Sequence, residues 1–190
     1  GIETDMLKAM CNTKGGLITV VGETSSGKTT TIASMLDYIN QTQIGSIITI
    51  ENPVEYFIPS RKCMVTRREI GRDTPDFKHA LKSAVRKNPD CLLIGEIRDY
   101  ETAVISVSAA ETGILTFCTL HAIGAMPAVT RLGNMLVGGG HAQEEVYQRL
   151  ATVFKGVISQ RLIKRKDQEG LTPIYEILNV TSIEKNYLKM

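Results

Sequence analysis

The eight residues from Gly22 to Thr29 have the types and spacing of a phosphate-binding loop. They read Gly-Glu-Thr-Ser-Ser-Gly-Lys-Thr, which matches the P-loop pattern G-x-x-x-x-G-K-[ST]. Gly22 and Gly27 permit tight backbone turns, so that backbone N–H groups can converge on phosphates. The Lys28 ammonium can reach the β- and γ-phosphates, and the Thr29 hydroxyl can hold Mg²⁺. The pattern therefore predicts binding of ATP with Mg²⁺, through Gly22, Glu23, Thr24, Ser25, Ser26, Gly27, Lys28, Thr29 and Thr30.

The segments on either side of this loop fit the context that the motif requires. After Gly15-Gly16, the apolar and β-branched run 17–21 is typical of a buried strand. Beyond the loop, apolar residues recur at helical spacing, at Ile32, Met35, Leu36 and Ile39. A Gly/Ser-rich turn that matched by chance would need neither flank, so the strand–loop–helix arrangement favours a true phosphate site.

The rest of the chain alternates predicted strands with predicted helices. One helix is predicted to begin at Thr74-Pro75, with Thr74 as its N-cap, and to end at Asn88-Pro89. An amphipathic helix is predicted from the apolar residues between Val146 and Val157. The other predicted elements are strands at 46–50, 63–66, 91–94 and 114–120, a helix at 100–111, and a hairpin pairing 159–164 with 172–180. This alternation indicates an α/β fold with a mostly parallel central sheet and helices on both faces.

Glu51, Glu96 and His121 each directly follow a predicted strand. Right-handed crossovers place the carboxyl ends of parallel strands at one edge of a sheet, so we expect these side chains to converge near the P-loop. The segment from Asp90 to Glu96 is an apolar strand ending in an acid, which is the pattern of a Walker B strand. By itself this pattern also describes an ordinary core strand. Its distance from the P-loop, about one βαβ unit, favours the Walker B interpretation.

The composition is that of an ordinary globular domain. The chain has 190 residues, of which 43% are hydrophobic and 22% charged, and its net charge of +2 creates no strong overall field for nucleic acid or a membrane. Residues 61–87 hold nine Lys/Arg against three acids, and this basic stretch is either a solvated face or a surface facing phosphates or another subunit. The four cysteines form no C-x-x-C pair, which argues against a zinc site and fits a reduced cytosol. Neither a signal peptide nor an apolar stretch long enough to span a bilayer is visible.

Several further segments resemble motifs of the secretion and pilus-motor ATPase family. Residues 48–56, Ile-Thr-Ile-Glu-Asn-Pro-Val-Glu-Tyr, resemble its Asp box, and 68–74, Arg-Glu-Ile-Gly-Arg-Asp-Thr, the arginine-bearing stretch after it. Residues 95–103 resemble its Walker B region and 112–121 its His box, and 157–162 and 175–178 match its tail. The likeness covers nearly the whole chain. The absence of a Cys-rich zinc insertion, frequent in the type II secretion branch, favours the PilT-like pilus-retraction branch.

Three positions depart from the family pattern. Asn52 stands in place of the Asp that names the Asp box, Ile114 where a His is common in the His box, and Glu23 where the P-loop usually has Pro. None of them removes a residue assigned to chemistry. At Asn52 the carboxylate charge of the family pattern is absent.

The resemblance implies a RecA-like P-loop ATPase core over residues 1–190, with a hairpin and helices toward its end. Family members also have an upstream PAS-like domain, and because the chain begins without Met near a predicted strand, we expect that domain to be missing here. They hydrolyse Mg-ATP as hexameric rings on the cytoplasmic face of the inner membrane, with ATP between domains. There they act with inner-membrane platform proteins to drive type IV pilus retraction or assembly, or type II or type IV secretion.

The resemblance also implies roles for individual side chains. Glu51 orients or deprotonates the attacking water and Glu96 holds Mg²⁺ through water, with Glu55 a lower-ranked alternative for either role. His121 senses the γ-phosphate or couples it to motion. Each residue also has a simpler interpretation: Glu51 as a solvated loop carboxylate, Glu96 as a helix-capping acid, and His121 as an ordinary hydrogen-bonded histidine. An arginine acting across a subunit interface contributes about 10³–10⁵ in rate, and five are candidates: Arg67, Arg68, Arg72, Arg86 and Arg98.

Three other functions fit parts of the sequence. A P-loop kinase for a small acceptor would need a lid, and we find no Arg-rich lid. A nucleic-acid translocase of a conjugation system is supported only by the basic stretch, since an aromatic content of 5% offers few stacking platforms. A non-enzymatic nucleotide switch is suggested only by Asn52. The nucleic-acid signal is weak, and the sequence favours an ATP-hydrolysing motor.

Overall fold

A seven-stranded sheet organises the computed structural model, which describes residues 4–166 and 169–180. The strands are β1 (Gly16–Val21), β2 (Gly45–Glu51), β3 (Cys63–Glu69), β4 (Cys91–Ile94), β5 (Leu115–Leu120), β6 (Phe154–Lys164) and β7 (Leu171–Asn179). The helices are α1 (Thr4–Cys11), α2 (Lys28–Thr42), α3 (Phe77–Val85), α4 (Tyr100–Glu111), α5 (Ala125–Val137) and α6 (Gln143–Val153). The strand order is β3-β2-β4-β5-β1-β6-β7, and every described pairing is parallel except β6 with β7. The predicted α/β class and mostly parallel sheet are confirmed.

Side-chain alternation along the strands builds a core on each face of the sheet. On β1, Leu17 and Val21 pack in the core that contains residues of α3, α4, α5 and α6. Ile18 and Val20 point the other way, into the core that contains residues of α1 and α2. All six residues of β1 are buried, as expected for a central parallel strand covered on both sides. The end of β1, where the P-loop begins, is therefore held rigidly.

The order of the strands places the functional loops together. β1 is followed in sequence by β2, but β4 and β5 lie between them in the sheet. Because these four strands are parallel, the loops that follow them emerge at one edge, where the strand order switches. That edge is where open α/β sheets bind ligands.

Four predicted boundaries are wrong. Helix α3 ends at Val85 and not at Asn88-Pro89, and strand β3 continues to Glu69, beyond the predicted 63–66. The N-cap of α3 is Asp76, not Thr74, because the Asp76 carboxylate accepts a hydrogen bond from the His79 backbone N–H at 2.8 Å. The amphipathic helix ends at Val153, and the next residues form β6, in which Phe154 pairs with Leu17 of β1. Apolar residues of a buried strand occupied the positions that the helical spacing required, so the periodicity did not reveal the change.

Two helices, α1 and α5, were not predicted from the sequence. The signal for α5 was present, since Ala128, Val129, Leu132 and Leu136 are buried at helical spacing. Pro127 and a glycine interrupt the pattern. By contrast, the predicted strand 91–94 and helix 100–111 match β4 and α4 to the residue, and the hairpin is β6 with β7. Residues 167 and 168 of its charged turn lie outside the described residues.

Candidate active site

A cleft of about 350 Å³ lies at the carboxyl edge of the sheet, and it brings the predicted site residues together. Lys28 and Thr29 from the start of α2 line one part of it. Glu51, the last residue of β2, also lines it, as do Glu96 and His121, which follow β4 and β5. The side chains that were predicted to converge near the P-loop therefore do line one cleft with it.

The P-loop conformation depends on two glycines. Gly27 has φ 85° and Gly22 has φ 146°, a region that L side chains rarely adopt. A Cβ on Gly22 would collide with the Gln160 carbonyl oxygen of β6, and one on Gly27 would lie 2.6 Å from the Gln160 amide nitrogen. Any residue larger than glycine at these two positions would clash with β6, which passes directly against the loop.

The helix that follows the loop points its positive end at the cleft. Helix α2 runs for 15 residues from Lys28, and its N-cap, Gly27, makes no side-chain capping bond. The first N–H groups of a helix lack partners within the helix, and together with the helix dipole they make an anion site. This end of α2 is suited to a polyphosphate.

Lys28 contacts the P-loop's own backbone in this structure. Its Nζ donates to the carbonyl oxygens of Gly22 at 3.0 Å and Glu23 at 2.7 Å. Burial lowers the pKa of Lys28, and the nearby carboxylates of Glu96 and Glu55 partly oppose that shift. Phosphate oxygens would offer this ammonium charged and therefore stronger acceptors than carbonyls.

Glu51 is a buried carboxylate at the end of β2. Only 6% of it is exposed, and this burial raises its pKa. Its backbone is fixed on both sides, because Glu51 O accepts from Ile70 N at 3.0 Å and Ile50 O accepts from Gly95 N at 2.8 Å. A desolvated carboxylate that is held rigidly beside a phosphate site has the properties of a general base.

Glu96 joins two basic side chains. Arg98 donates to its Oε2 at 2.6 Å, and His121 Nε2 lies 3.1 Å from its Oε1. The loop that carries Glu96 is tied to β5, since Thr119 Oγ1 donates to Gly95 O and Ile97 N donates to Thr119 O at 3.0 Å. Glu96 is therefore positioned by contacts with both the strand and the loop that lead to His121.

The residues present fit a magnesium ion bound with a nucleotide. Mg²⁺ prefers oxygen ligands and usually combines one or two carboxylates with substrate phosphates and water. The Thr29 hydroxyl and the Glu96 carboxylate line the same cleft and provide such oxygens. Among the described residues no group of three or more His, Cys, Asp or Glu side chains could hold a metal ion by itself.

The remaining predicted P-loop residues are divided among three environments. Thr24 and Ser25 line the cleft, and with Glu23 and Ser26 they also line a neighbouring groove against β6. The Glu23 carboxylate forms an ion pair with Arg161 at 3.1 Å, a contact that the sequence did not predict. Thr30 is turned away, and its hydroxyl lies 2.7 Å from the Tyr56 hydroxyl.

The five candidate arginines are not gathered in one place. Arg98 lines the cleft. Arg67 instead donates to the Ile58 carbonyl at 2.8 Å and stacks over the Phe57 ring at 3.8 Å. Arg68 lies half-buried on β3, the exposed Arg72 lies 4.0 Å from Asp73, and Arg86 caps the end of α3 that leads to the start of β4.

Gln160 is the main contact of the site that sequence analysis missed. It is buried on β6, and its amide nitrogen donates to the Ser26 carbonyl oxygen of the P-loop. The available signal was a polar amide inside the apolar run of a strand, because buried polar groups are usually kept for a specific partner.

None of the helices in the described ranges is long and apolar enough to cross a bilayer. All four cysteines are buried and free, and burial raises the pKa of Cys11 and Cys118 to about 12. Buried free cysteines of this kind pack as small hydrophobic side chains.

Comparison with known proteins gives consistent matches. The family model described as "Type II/IV secretion system protein" matches residues 2–185. The type IV pilus retraction ATPase PilT of Pseudomonas aeruginosa is 41% identical over 185 residues, which are 97% of this chain and 53% of PilT. The type II secretion system protein E of Xanthomonas campestris is 41% identical over 152 residues, 80% of this chain and 25% of that protein.

Solved structures agree. A crystal structure of the pilus retraction motor PilT with bound ADP superimposes with a TM-score of 0.93 at 42% identity, covering 100% of this chain and 54% of that one. The ATPase DotB of Legionella pneumophila has a TM-score of 0.89 at 26% identity, covering 96% and 50%. The chain thus spans about half the length of the pilus-motor relatives that it matches.

Proposed function

The chain belongs to the type II/IV secretion system protein family, and from this membership we propose that it is the ATPase unit of a pilus or secretion motor. The reaction is hydrolysis of Mg-ATP to ADP and phosphate. The observation that carries the proposal is that one cleft contains a P-loop lysine and threonine, three carboxylates and a histidine.

Each side chain has a distinct part in this reaction. Lys28 and the N-terminal N–H groups of α2 hold the phosphates, and their positive charge stabilises the transition state. Glu51 takes up the proton of the attacking water, since it is buried and its pKa is raised. Thr29 and Glu96 would hold Mg²⁺, which when bound neutralises charge on the β- and γ-oxygens.

His121 links the γ-phosphate side of the cleft to Glu96. Its Nε2 lies 3.1 Å from Glu96 Oε1, and half of the imidazole remains exposed toward the cleft. We assign His121 the role of detecting whether a γ-phosphate is present, because it lies beside the carboxylate proposed to hold the metal. Its movement with that carboxylate would transmit hydrolysis to the rest of the molecule.

We also propose that the motor works as a homo-oligomer, a hexameric ring. Of the five candidate arginines Arg98 lines the cleft, and it is paired with Glu96. A further positive charge on the transferred γ-phosphoryl group, beside that of Lys28, would therefore come from an arginine of a neighbouring subunit. By the names of its relatives, the machine is a type IV pilus or a type II or type IV secretion system, in which the ring would act at the cytoplasmic face of the inner membrane on platform proteins.

The test is phosphate release from Mg-ATP by the assembled protein with no other acceptor present. We expect steady release, and we expect Lys28→Ala to abolish it because the variant lacks the cation that contacts the phosphates. Lys14→Ala is the matched control, since Lys14 lies at the opposite edge of the sheet, in the cavity beside the start of β2.

Other outcomes would identify a different function. Release only after a small acceptor is added would indicate a kinase, and salt-dependent DNA binding would indicate a translocase. Tight ATP binding without turnover in the assembled protein would indicate a nucleotide switch. Full activity in Lys28→Ala would contradict the P-loop assignment itself.

A further inference from the structure

The β6–β7 hairpin touches the P-loop through Gln160. This side chain is 3% exposed, and its Nε2 donates to the Ser26 carbonyl oxygen at 2.5 Å. Its Oε1 accepts from the Thr31 hydroxyl at 2.6 Å. Both ends of the amide are therefore used, one on the P-loop and one on the first turn of α2.

The same hairpin holds the segment that follows His121. Ser159, the residue before Gln160, accepts with its hydroxyl from the Gly124 backbone N–H at 3.1 Å. Glu176, which is opposite Ser159 in the β6–β7 register, accepts with Oε2 from the Ala125 N–H at 3.1 Å. Gly124 is the N-cap of α5 and has no side chain, so the hairpin supplies the cap that this helix lacks.

The two contacts are one residue apart on a single strand. Successive side chains of a strand point to opposite faces and are about 3.3 Å apart along it. Ser159 and Gln160 can thus face the α5 entry and the P-loop at the same time. In addition to the direct pairing of β1 with β5, adjacent residues of one strand thus contact both the loop that holds the phosphates and the loop that carries His121.

We propose that Ser159, Gln160 and Glu176 are positioning residues that keep the P-loop and the His121 loop in register through the β6–β7 hairpin. The inference rests on the proposed ATPase function and adds to it a connection between its two phosphate-facing loops. None of the three residues lines the main cleft. They act through the loops that they hold.

The test compares ADP binding and ATP turnover in the assembled protein, with turnover expressed per ADP-binding site. Gln160→Leu removes two hydrogen bonds to the P-loop side, so ADP affinity should fall about tenfold and turnover with it. Glu176→Ala should lower turnover about threefold to tenfold and change ADP affinity less than threefold, because ADP has no γ-phosphate for the His121 loop to meet. Glu176→Gln keeps an acceptor oxygen and should restore most of the turnover.

The double variant measures the connection itself. If both side chains act through one hairpin, the loss of turnover in Gln160→Leu/Glu176→Ala should be smaller than the product of the single losses. Losses that multiply would overturn the proposal, as would wild-type turnover in Glu176→Ala or an equal defect in Glu176→Gln. Thr172→Ala, on the same strand, is the control for a general effect on β7.

Two further comparisons distinguish failure of the hairpin proposal from failure of folding or of the proposed function. If Gln160→Leu does not fold, the comparison of Glu176→Ala with Glu176→Gln decides the question. A wild-type protein that neither binds ADP nor hydrolyses ATP would overturn the proposed function. An active wild type with unchanged variants would overturn only the role of the hairpin.

Discussion

Replacing Glu51 by Gln tests whether this residue is the general base. The variant keeps the size and shape of the side chain and one carbonyl oxygen, so the 6%-exposed site should remain packed. What it loses is the ability to accept the proton of the attacking water. Losing a general base costs about 10²–10⁴ in rate, which corresponds to roughly 2.7–5.4 kcal/mol in the barrier at 1.36 kcal/mol per tenfold.

The effect on binding should have the opposite sign. Glu51 lines the same cleft as Lys28, so its carboxylate repels a polyphosphate placed there. Glu51→Gln should therefore bind ATP at least as tightly as wild type while turning it over at least 100-fold more slowly, the lower end of the range for general-base loss. The measurements are ATP affinity by calorimetry and single-turnover hydrolysis, with Glu55→Gln as control because Glu55 lines the cleft but is exposed. Turnover of Glu51→Gln within threefold of wild type would refute this reasoning and move the role to Glu55 or Glu96.

The same substitution has a pH-dependent effect on stability. Burial raises the pKa of Glu51 above its ordinary 4.5, so the folded state binds a proton in a range where the unfolded state has lost it. Above the folded pKa the folded state holds a desolvated carboxylate, which lowers its stability; below the ordinary value both states are protonated and the penalty is absent. Glu51→Gln should thus be more stable than wild type above the folded pKa, and the advantage should disappear as pH falls through this range. An advantage that grows toward acid pH would contradict it.

Three other predictions concern helix caps, loop geometry and assembly. Asp99 caps α4 by accepting from the Thr102 N–H at 2.8 Å, and Asp76 caps α3. Asp99→Ala should cost about 0.5–2 kcal/mol in denaturant unfolding and, because Asp99 is next to the Walker B loop, should also lower turnover. Asp76→Ala should lower stability without changing turnover. Gly22→Ala should abolish ADP binding because its Cβ would strike the β6 backbone, whereas Gly71→Ala, also at positive φ but in open space, should not; equal effects would show that backbone strain alone decides. Specific ATPase activity should rise with protein concentration in parallel with the mass of the assembly measured by light scattering. A monomeric sample whose turnover is full and independent of concentration would exclude an active site shared between subunits.

Local features of the sequence predicted the parts of the site that are contiguous in the chain. The P-loop and β4 were recognised because their patterns lie within eight residues or fewer, and the parallel topology then implied that Glu51, Glu96 and His121 would meet. Sequence alone did not distinguish between two residues of equal capping ability. Thr74 and Asp76 are both good N-caps, and in the structure Asp76 caps α3. The positions of the arginines could not be predicted, since they depend on how a strand edge and a loop pack in three dimensions.

Contacts between distant residues were the other limit. Gln160 and Ser26 are 134 positions apart, and no local pattern connects them. The ion pair of Glu23 with Arg161 was missed for the same reason, although Glu23 had been noted as a departure from the family pattern. In both pairs the partner lies on β6, a strand whose first residues were predicted to be helical.

The position of β6 beside β1 has a consequence for how the molecule is made. The P-loop is synthesised early, but the strand that packs against it follows about 130 residues later. At about 5–20 residues per second, a ribosome needs roughly 7–27 s to cover that distance, which is long compared with the folding of a small domain. For most of that interval β1 lacks both of its neighbours, β5 and β6, and Gly22 and Gly27 are free to take other backbone conformations. A nascent chain should therefore be unable to capture nucleotide until the hairpin has left the ribosome, so that binding becomes a late checkpoint of folding and not an early aid to it.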